Sequence, residues 1–316
     1  MHKYILKRLL LLIPTLLAVI LVVFTVLALT PGSPGRTMLG PMAAQEDVDR
    51  LNDRLGYSRP FAVRFVDYVG GIIVGDFGNS YSTGKPVFTE IFARFPTTLI
   101  IAVIGVAGAA LIGIPIGVLS AVKQYSIIDG FSTAMALLLA AIPGFWLGLM
   151  LVLFFSLYLG WLPATGIGTW RHYILPAITI SLPGAAWILR MTRTTMLETI
   201  RQDYMRMARA KGATEKRVIW GHALKNALLP VITSLGMGFG SMLGGTILIE
   251  SVFAMPGLGT LVVNAIRSKD VPVVMGSVIF LAALFCIIML IVDLIYAFVD
   301  PRIKARYSGS LRGARG

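Results

Sequence analysis

Long apolar stretches separated by short polar ones dominate this chain. Six of them run about Leu9–Leu29, Thr98–Ala121, Phe131–Leu159, Ile174–Met196, Leu228–Glu250 and Val274–Val299. Each is long enough to cross a bilayer, which takes roughly 20 apolar residues of helix. Peptide groups in lipid must be bonded within their own segment, so each stretch is read as a helix. Pro115, Pro143, Pro176, Pro183 and Pro230 fall within them, which a packed bundle tolerates because neighbouring helices satisfy the freed carbonyls. Small residues recur at four-residue spacing, at Gly113 and Gly117 and again at Gly236, Gly240 and Gly244. That spacing predicts close backbone approach between helices. The pattern predicts an all-α polytopic transmembrane bundle of about six spans. The first run could be read as a signal peptide, but it exceeds the roughly 7–15 apolar residues of one. Thr30-Pro31-Gly32-Ser33-Pro34 after it offers no small-x-small cleavage site, so the run is expected to be retained.

Composition agrees with this picture. Of 316 residues, 56% are hydrophobic and 14% charged, against roughly 25% charged in an average soluble domain. The net charge of +13 would suit nucleic acid, an acidic membrane surface or topology signals, and its placement decides. Residues 1–8 carry +3, 31–97 balance seven basic against seven acidic residues, and 122–130 balance Lys123 with Asp129. Residues 160–173 hold only Arg171, 190–226 carry +6, 251–273 carry +1 and 300–316 carry +4. The excess falls on alternate sides of the spans, which places the N-terminus, the 190–226 loop and the C-terminus in the cytoplasm. A nucleic-acid partner loses its main support.

The expected organisation is an N-terminal tail and first helix over 1–30, an external segment over 31–97, a five-helix core over 98–300 and a basic tail over 301–316. In the external segment, Phe61, Phe65, Tyr68 and Ile72 share one helical face, as in a helix lying on a membrane surface. Gly75 to Tyr81 reads as a turn-rich connection. The core includes an internal loop over 197–226 that reads as helix, turn, helix. Gly212 suits the left-handed residue that ends a helix, and Thr214 can cap the next one with Glu215 in its first turn. Tyr204, Met207, Ala208 and Lys211 share one face, with Arg206 and Arg209 off it. Two short amphipathic helices rich in cations are expected here, suited to a groove on another protein.

Catalytic patterns are missing from the sequence: no H-E-x-x-H, C-x-x-C or G-x-S-x-G occurs. The three histidines, His2, His172 and His222, are scattered, and no metal or cofactor site is expected. Gly84-Lys85 precedes Pro86, and Asn79 stands where a phosphate loop needs glycine. Any nucleotide must therefore be bound by a partner. Asp293 is the acid well inside a span; pairing with Arg190 or Arg193 is expected. Glu250, at the end of the fifth span, is expected to be interfacial, and the single cysteine, Cys286, to be a packed apolar side chain.

The loop Asp203-Tyr204-Met205-Arg206-Met207-Ala208-Arg209-Ala210-Lys211-Gly212, continuing through His222-Ala223-Leu224-Lys225-Asn226-Ala227-Leu228-Leu229-Pro230, resembles the coupling loop of ATP-binding-cassette (ABC) importer permeases, E-A-A-x3-G-x9-I-x-L-P. Gly212, Ala208 and Leu224 fit its glycine, second alanine and leucine; Arg206, Met207, His222 and Lys225 depart from it. The D-Y-x-R-x-A-R-A-K-G form with H-A-L-x-N-A-L-x-P is similar to the dipeptide/oligopeptide/nickel branch, in its B-type subunit. Further motifs resemble that branch along nearly the whole chain. They are Ile5-Leu6-Lys7-Arg8-Leu9, Thr30-Pro31-Gly32, Ile174-Leu175-Pro176-Ala177, Arg190-Met191-Thr192-Arg193 and Asp300-Pro301-Arg302-Ile303. The motif Gly75-Asp76-Phe77-Gly78-Asn79-Ser80-Tyr81, and Glu250 and Phe253 with Pro256-Gly257-Leu258-Gly259, resemble external motifs that face a binding protein.

The resemblance implies a type I importer permease in a prokaryotic cell membrane, paired with a second homologous permease. It also implies two cytoplasmic ATPase subunits that hold ATP and Mg, an extracytoplasmic substrate-binding protein, and peptide or nickel cargo. Asp203 to Gly212 would contact the ATPase. An ion-gradient carrier is the alternative of another class, and inverted repeats or several buried acids would favour it. A membrane-anchored DNA-binding regulator is disfavoured because both ends of 203–224 run into spans and could hardly reach a major groove.

Overall fold

The computed structural model describes residues 2–299, and their side chains except at residues 2–9, 245, 293 and 295–299. The sequence motif at Asp300–Ile303, the basic tail and the side chain of Asp293 lie outside the described residues. Within them the chain is helical apart from loops and an isolated antiparallel bridge between Asn79 and Pro86. It divides into two compact units: residues 2–98 with 256–286, and residues 99–255 with 287 onward.

In the first unit α1 (His2–Leu29) is followed by α2 (Pro34–Leu39), α3 (Gln45–Arg54) and α4 (Phe61–Ile73). Ser33 caps α2, its hydroxyl accepting from the Arg36 amide, with Pro34 at the first helical position, where a missing N–H costs nothing. The shared face of α4, expected to lie on a membrane surface, instead packs half-buried against α1. Phe65, Tyr68 and Ile72 pack against Ile20 and Phe24 of α1, and Phe24 meets the Phe61 and Phe65 rings edge-on at 5.2 and 5.6 Å. Helix α12 (Leu258–Arg267) and the start of α13 (Val271–Val299) complete the unit, with Leu258, Leu261, Val273 and Val274 buried against Val87 and Ile91 of α5 (Val87–Val122).

The second unit holds the rest of α5, then α6 (Ile127–Ala141), α7 (Gly144–Leu151) with a π-helical turn over Val152–Tyr158, and α8 (Ile174–Ile200). Helix α9 (Asp203–Ala210), a second π-helical turn over Arg217–Ala223, α10 (Leu224–Gly245) and α11 (Ile247–Val252) follow. Among the described residues five helices are long and apolar enough to cross a membrane, and six if α6 and the bent helix over Gly144–Tyr158 are counted as one span. The straight third span expected over Phe131–Leu159 is therefore corrected to a pair bent by 97°. Pro143 causes the break: its ring disfavours the helical conformation at the preceding residue, and Ile142 is extended, with ψ 125°. The fifth span likewise stops at Gly245, and Thr246 turns the chain into α11.

Glycine sets the approach of α5 to α8. A Cβ added at Gly113 or Gly117 would stand 2.7 Å from the carbonyl oxygen of Ala185 or Leu189 respectively, nearer than any side chain permits. Gly236 is packed by Val292 of α13 in the same way. Gly244 departs from the expectation of close packing, since a Cβ there meets open space.

A buried ion pair ties α5, α6 and α8. Asp129 accepts from Arg193 through both oxygens, at 2.6 and 2.8 Å, from the Tyr125 amide at 2.9 Å and from the Ser120 hydroxyl. The expected assignment of Arg193 to Asp293 gives way to this partner: a planar guanidinium satisfied bidentately by one carboxylate has its best geometry there.

Two outcomes follow. Gly117→Ala, overpacked against α8, lowers the thermal midpoint of the purified chain, by about 1–3 kcal/mol of stability, while Gly244→Ala leaves it unchanged or higher. Asp129→Asn, which leaves a part-buried guanidinium without its carboxylate, costs about 3–5 kcal/mol; the same thermal melt reads it, and a loss no larger than that of an exposed pair such as Arg50–Glu46 would contradict the latch.

Candidate functional site

The loop between α8 and α10 is a built structure. Helix α8 ends at Ile200, Gln202 is extended, and Asp203 opens α9, where an acid complements the helix dipole. Along α9, Met205 points inward and is fully buried among Val118 and Ala121 of α5, Met196 of α8, and Val218, Ile219, Ala223 and Ala227. This anchor fixes α9 to three long helices. The other side chains divide around it: Asp203, Tyr204, Arg206, Met207, Ala210 and Lys211 are exposed, while Ala208 and Arg209 are half-buried.

Gly212 ends the helix as the sequence foretold, with φ +81°. Its amide donates to the Arg209 carbonyl at 2.9 Å and the Ala213 amide to the Ala208 carbonyl at 3.2 Å, the paired bonds of a Schellman motif. Arg209 then reaches across the turn to Glu215, Nε to Oε1 at 2.7 Å. That contact holds the Glu215 carboxyl below its ordinary range. Thr214 stands just before the next helix and its carbonyl accepts from Val218.

Two separate amphipathic helices were expected; the second is instead continuous with α10. No breaker lies between Ala223 and Leu224, and the extra residue is absorbed as a π turn in which the Leu224 amide donates to Ile219. Such turns re-aim side chains. Here Val218, Ile219 and Ala223 are buried while Trp220 and His222 are exposed. The face foreseen from spacing, Tyr204, Met207, Ala208 and Lys211, lines one side of an open cavity of about 410 Å³, with Arg217 and His222 opposite. Lys211 and Arg217 form no ion pair among the described residues, so the cavity is cationic.

The motif residues of the first unit are placed by hydrogen bonds. Gly75 and Gly78 take φ +83° and +77°, and Asp76 accepts from the Gly78 amide at 2.8 Å; all three are exposed. The loop they begin is held by Asp270, which sequence reading treated as a loop charge. Its buried carboxylate accepts from the Ser80 hydroxyl at 2.5 Å and from the Tyr81 and Ser82 amides at 3.0 and 3.1 Å. Burial, and then the Asp270 charge, push Tyr81 up to about 12. Nothing in local periodicity could signal a bond between residues 190 positions apart.

The other motif falls on both sides of a unit boundary. Glu250, expected to be interfacial, is completely buried in the second unit, where its carboxylate accepts from Thr246 at 2.9 Å. The hydroxyl one turn back lets a carboxyl be buried at this depth. Phe253 is buried beside Ile101 and Leu175, and its carbonyl accepts from Gly166. In the first unit Pro256 is exposed, Gly257 and Gly259 are buried, and the Leu258 amide donates to Thr98 at 2.8 Å. Among the described residues no three His, Cys, Asp or Glu side chains gather as metal ligands.

Comparison with known proteins fits this architecture. Residues 113–305 match the family described as "Binding-protein-dependent transport system inner membrane component", and residues 1–102 match its N-terminal companion, "Binding-prot-dependent transport system membrane comp, N-term". The chain is 40% identical over 304 residues to the glutathione transport system permease protein GsiC of Salmonella typhimurium, covering 96% of this chain and 99% of that one. The GsiC protein of Escherichia coli strain K12 is 39% identical over the same shares. Among solved structures, the inward-facing MetNI methionine ABC transporter shares the fold, with a TM-score of 0.56 at 22% identity over 67% of this chain and 97% of that one. The helical bundle, the anchored loop between α8 and α10 and these likenesses together place the chain in the binding-protein-dependent transport system inner membrane component family, as a multi-pass permease subunit of a bacterial ABC importer.

Proposed function

We propose that this permease carries di- or oligopeptides into the cell after an extracytoplasmic binding protein delivers them. What carries this is the 40% identity, over 96% of the chain, to a permease named for glutathione transport, since glutathione is a small peptide-like molecule. The +6 of residues 190–226 and the +3 of residues 1–8 favour a cytoplasmic position for both termini and for α9.

In this arrangement Asp203 to Gly212 meet one of two ABC ATPase subunits, which bind ATP and Mg, and a second homologous permease completes the pathway. Closure of the ATPases on ATP would press on α9. Because Met205 is locked among side chains of α5, α8 and α10, that displacement passes to the spans instead of being lost in a loose loop. Interiors packed at crystal-like density transmit such strain. On the opposite side, Gly75, Asp76, Gly78 and Pro256 are the exposed members of the two motifs offered to the binding protein. Gly257 and Gly259, buried in the first unit, would support the exposed Pro256 there, and Glu250 and Phe253, buried in the second unit, would hold their own end of the motif. The five-helix region 98–300 would form the pathway, with the first helix over 1–30, the segment 31–97 and the tail 301–316 as additions to it.

The test is ATP hydrolysis by the purified complex in lipid. A binding protein loaded with a peptide pool is expected to stimulate hydrolysis, and the same protein loaded with nickel is not. Ala208→Trp, projecting from α9, uncouples hydrolysis from uptake while the complex still assembles, and a cysteine at 208 cross-links to the ATPase. Nickel-selective stimulation would move the cargo assignment; absence of any cross-link in an assembled complex would remove α9 from the ATPase contact; uptake on an ion gradient without an ATPase would defeat both.

A further inference from the structure

Along α1 runs an apolar groove made of two cavities that share Val22 and Val23 in their walls. One, of about 590 Å³, is bounded by Pro14, Ala18, Val22 and Val23. The other, of about 360 Å³, continues from Val22 past Val26 to Thr30, walled by Ile266 of α12 and Val274 of α13. From Pro14 to Thr30 is about 24 Å at 1.5 Å per residue, inside the roughly 30 Å of bilayer hydrocarbon. Val22 and Val26 are 61% and 58% exposed, so the groove opens sideways.

Its polar end is cationic. Lys269 stands there with φ +55°, and its ammonium donates to the Pro31 carbonyl at 2.8 Å. Gly32 lies beneath it with φ +125°, and a Cβ there would be 2.9 Å from Nζ. An ammonium has three donors, a carbonyl does not neutralise it, and no carboxylate pairs with Lys269 among the described residues. The adjoining Asp270 is taken by Ser80, Tyr81 and Ser82. A further cavity of about 300 Å³ shares Tyr57 and Val271 with the groove and is lined by Arg54, Arg59 and Arg64. Of these, Arg59 is paired with Asp67, whereas Arg64 lies over the Tyr57 ring at 4.1 Å. Tyr68, in the same lining, has a buried hydroxyl with no hydrogen-bond partner.

We propose that this site holds an anionic phospholipid, its acyl chain in the groove along α1 and its phosphate at Lys269, with Arg54 and Arg64 adding to the field around the headgroup. An amphiphile with a long apolar tail and one charged end matches the groove at both ends. A transmembrane helix without an acidic residue at this height would leave Lys269 unmatched, and a free phosphate would leave the apolar length empty. This inference does not depend on the nature of the cargo.

The experiment uses the full chain copurified with its partner subunits, in nanodiscs of equal phosphatidylglycerol and phosphatidylcholine, then stripped with detergent; mass spectrometry counts the lipid retained. Phosphatidylglycerol is expected to be kept in preference, and Lys269→Gln to reduce its retention about fivefold, the effect of one basic residue at an anionic surface, while Lys269→Arg keeps it. Val26→Trp, at an exposed position, fills the groove and abolishes retention even if Lys269→Gln fails to assemble. Equal retention of the two lipids, retention unaffected by Val26→Trp, or displacement of the lipid by inorganic phosphate overturns the proposal.

Discussion

A peptide group in hydrocarbon has no water to bond, so every N–H and C=O that crosses the membrane must be satisfied by its own helix or a close neighbour. The rest of this molecule follows from that constraint. It explains the long helices, and it also governs where they fail. At Ile142-Pro143 the chain bends by 97°, yet the Ile142 amide still reaches Leu138 and the Pro143 carbonyl accepts from Leu147. The two π-helical stretches, over Val152–Tyr158 and Arg217–Ala223, solve a different problem: the wider turn still bonds the backbone, the Leu159 amide donating to Phe154 and the Leu224 amide to Ile219, each five residues back.

The same economy applies to buried side chains. Among the described residues three acids are buried, Asp129, Glu250 and Asp270, and each meets donors. Asp129 takes four hydrogen bonds from Arg193, Tyr125 and Ser120. Asp270 takes three from the Ser80–Ser82 turn, and Glu250 accepts from Thr246. A carboxylate held by several donors fixes the elements that supply them more sharply than apolar contact does, because its geometry is directional. Asp129 thus sets α6 against α8, and Asp270 sets a loop at residues 80–82 against the start of α13.

Mechanically the chain joins stiff elements at few points. Helix α9 is short and mostly exposed, and Met205 alone is fully buried on it; the Schellman turn at Gly212 and the Arg209–Glu215 contact close the loop behind it. One buried side chain and one cap thus hold α9 as a body against the long helices. The cationic cavity at Lys211 and Arg217 gives that body a charged face to present.

Sequence alone determined the membrane class, the long apolar spans, which side chains share a face of α4, the face of α9 and the glycine that ends it. These depend on local periodicity, on one residue's backbone freedom and on how many apolar residues a bilayer demands, and all three can be counted along a chain. The family was also readable, because its motifs are short and contiguous. Tertiary structure decided what depends on partners distant in sequence. Arg193 belongs to Asp129, Asp270 holds a loop 190 positions away, Glu250 is buried where the sequence suggested an interface, and Gly244 faces open space although its spacing matched that of Gly236. Periodicity says which residues share a face; it does not say what the face meets. That is settled only when helices pack, where a charge finds its donor and a glycine either admits a backbone or admits nothing.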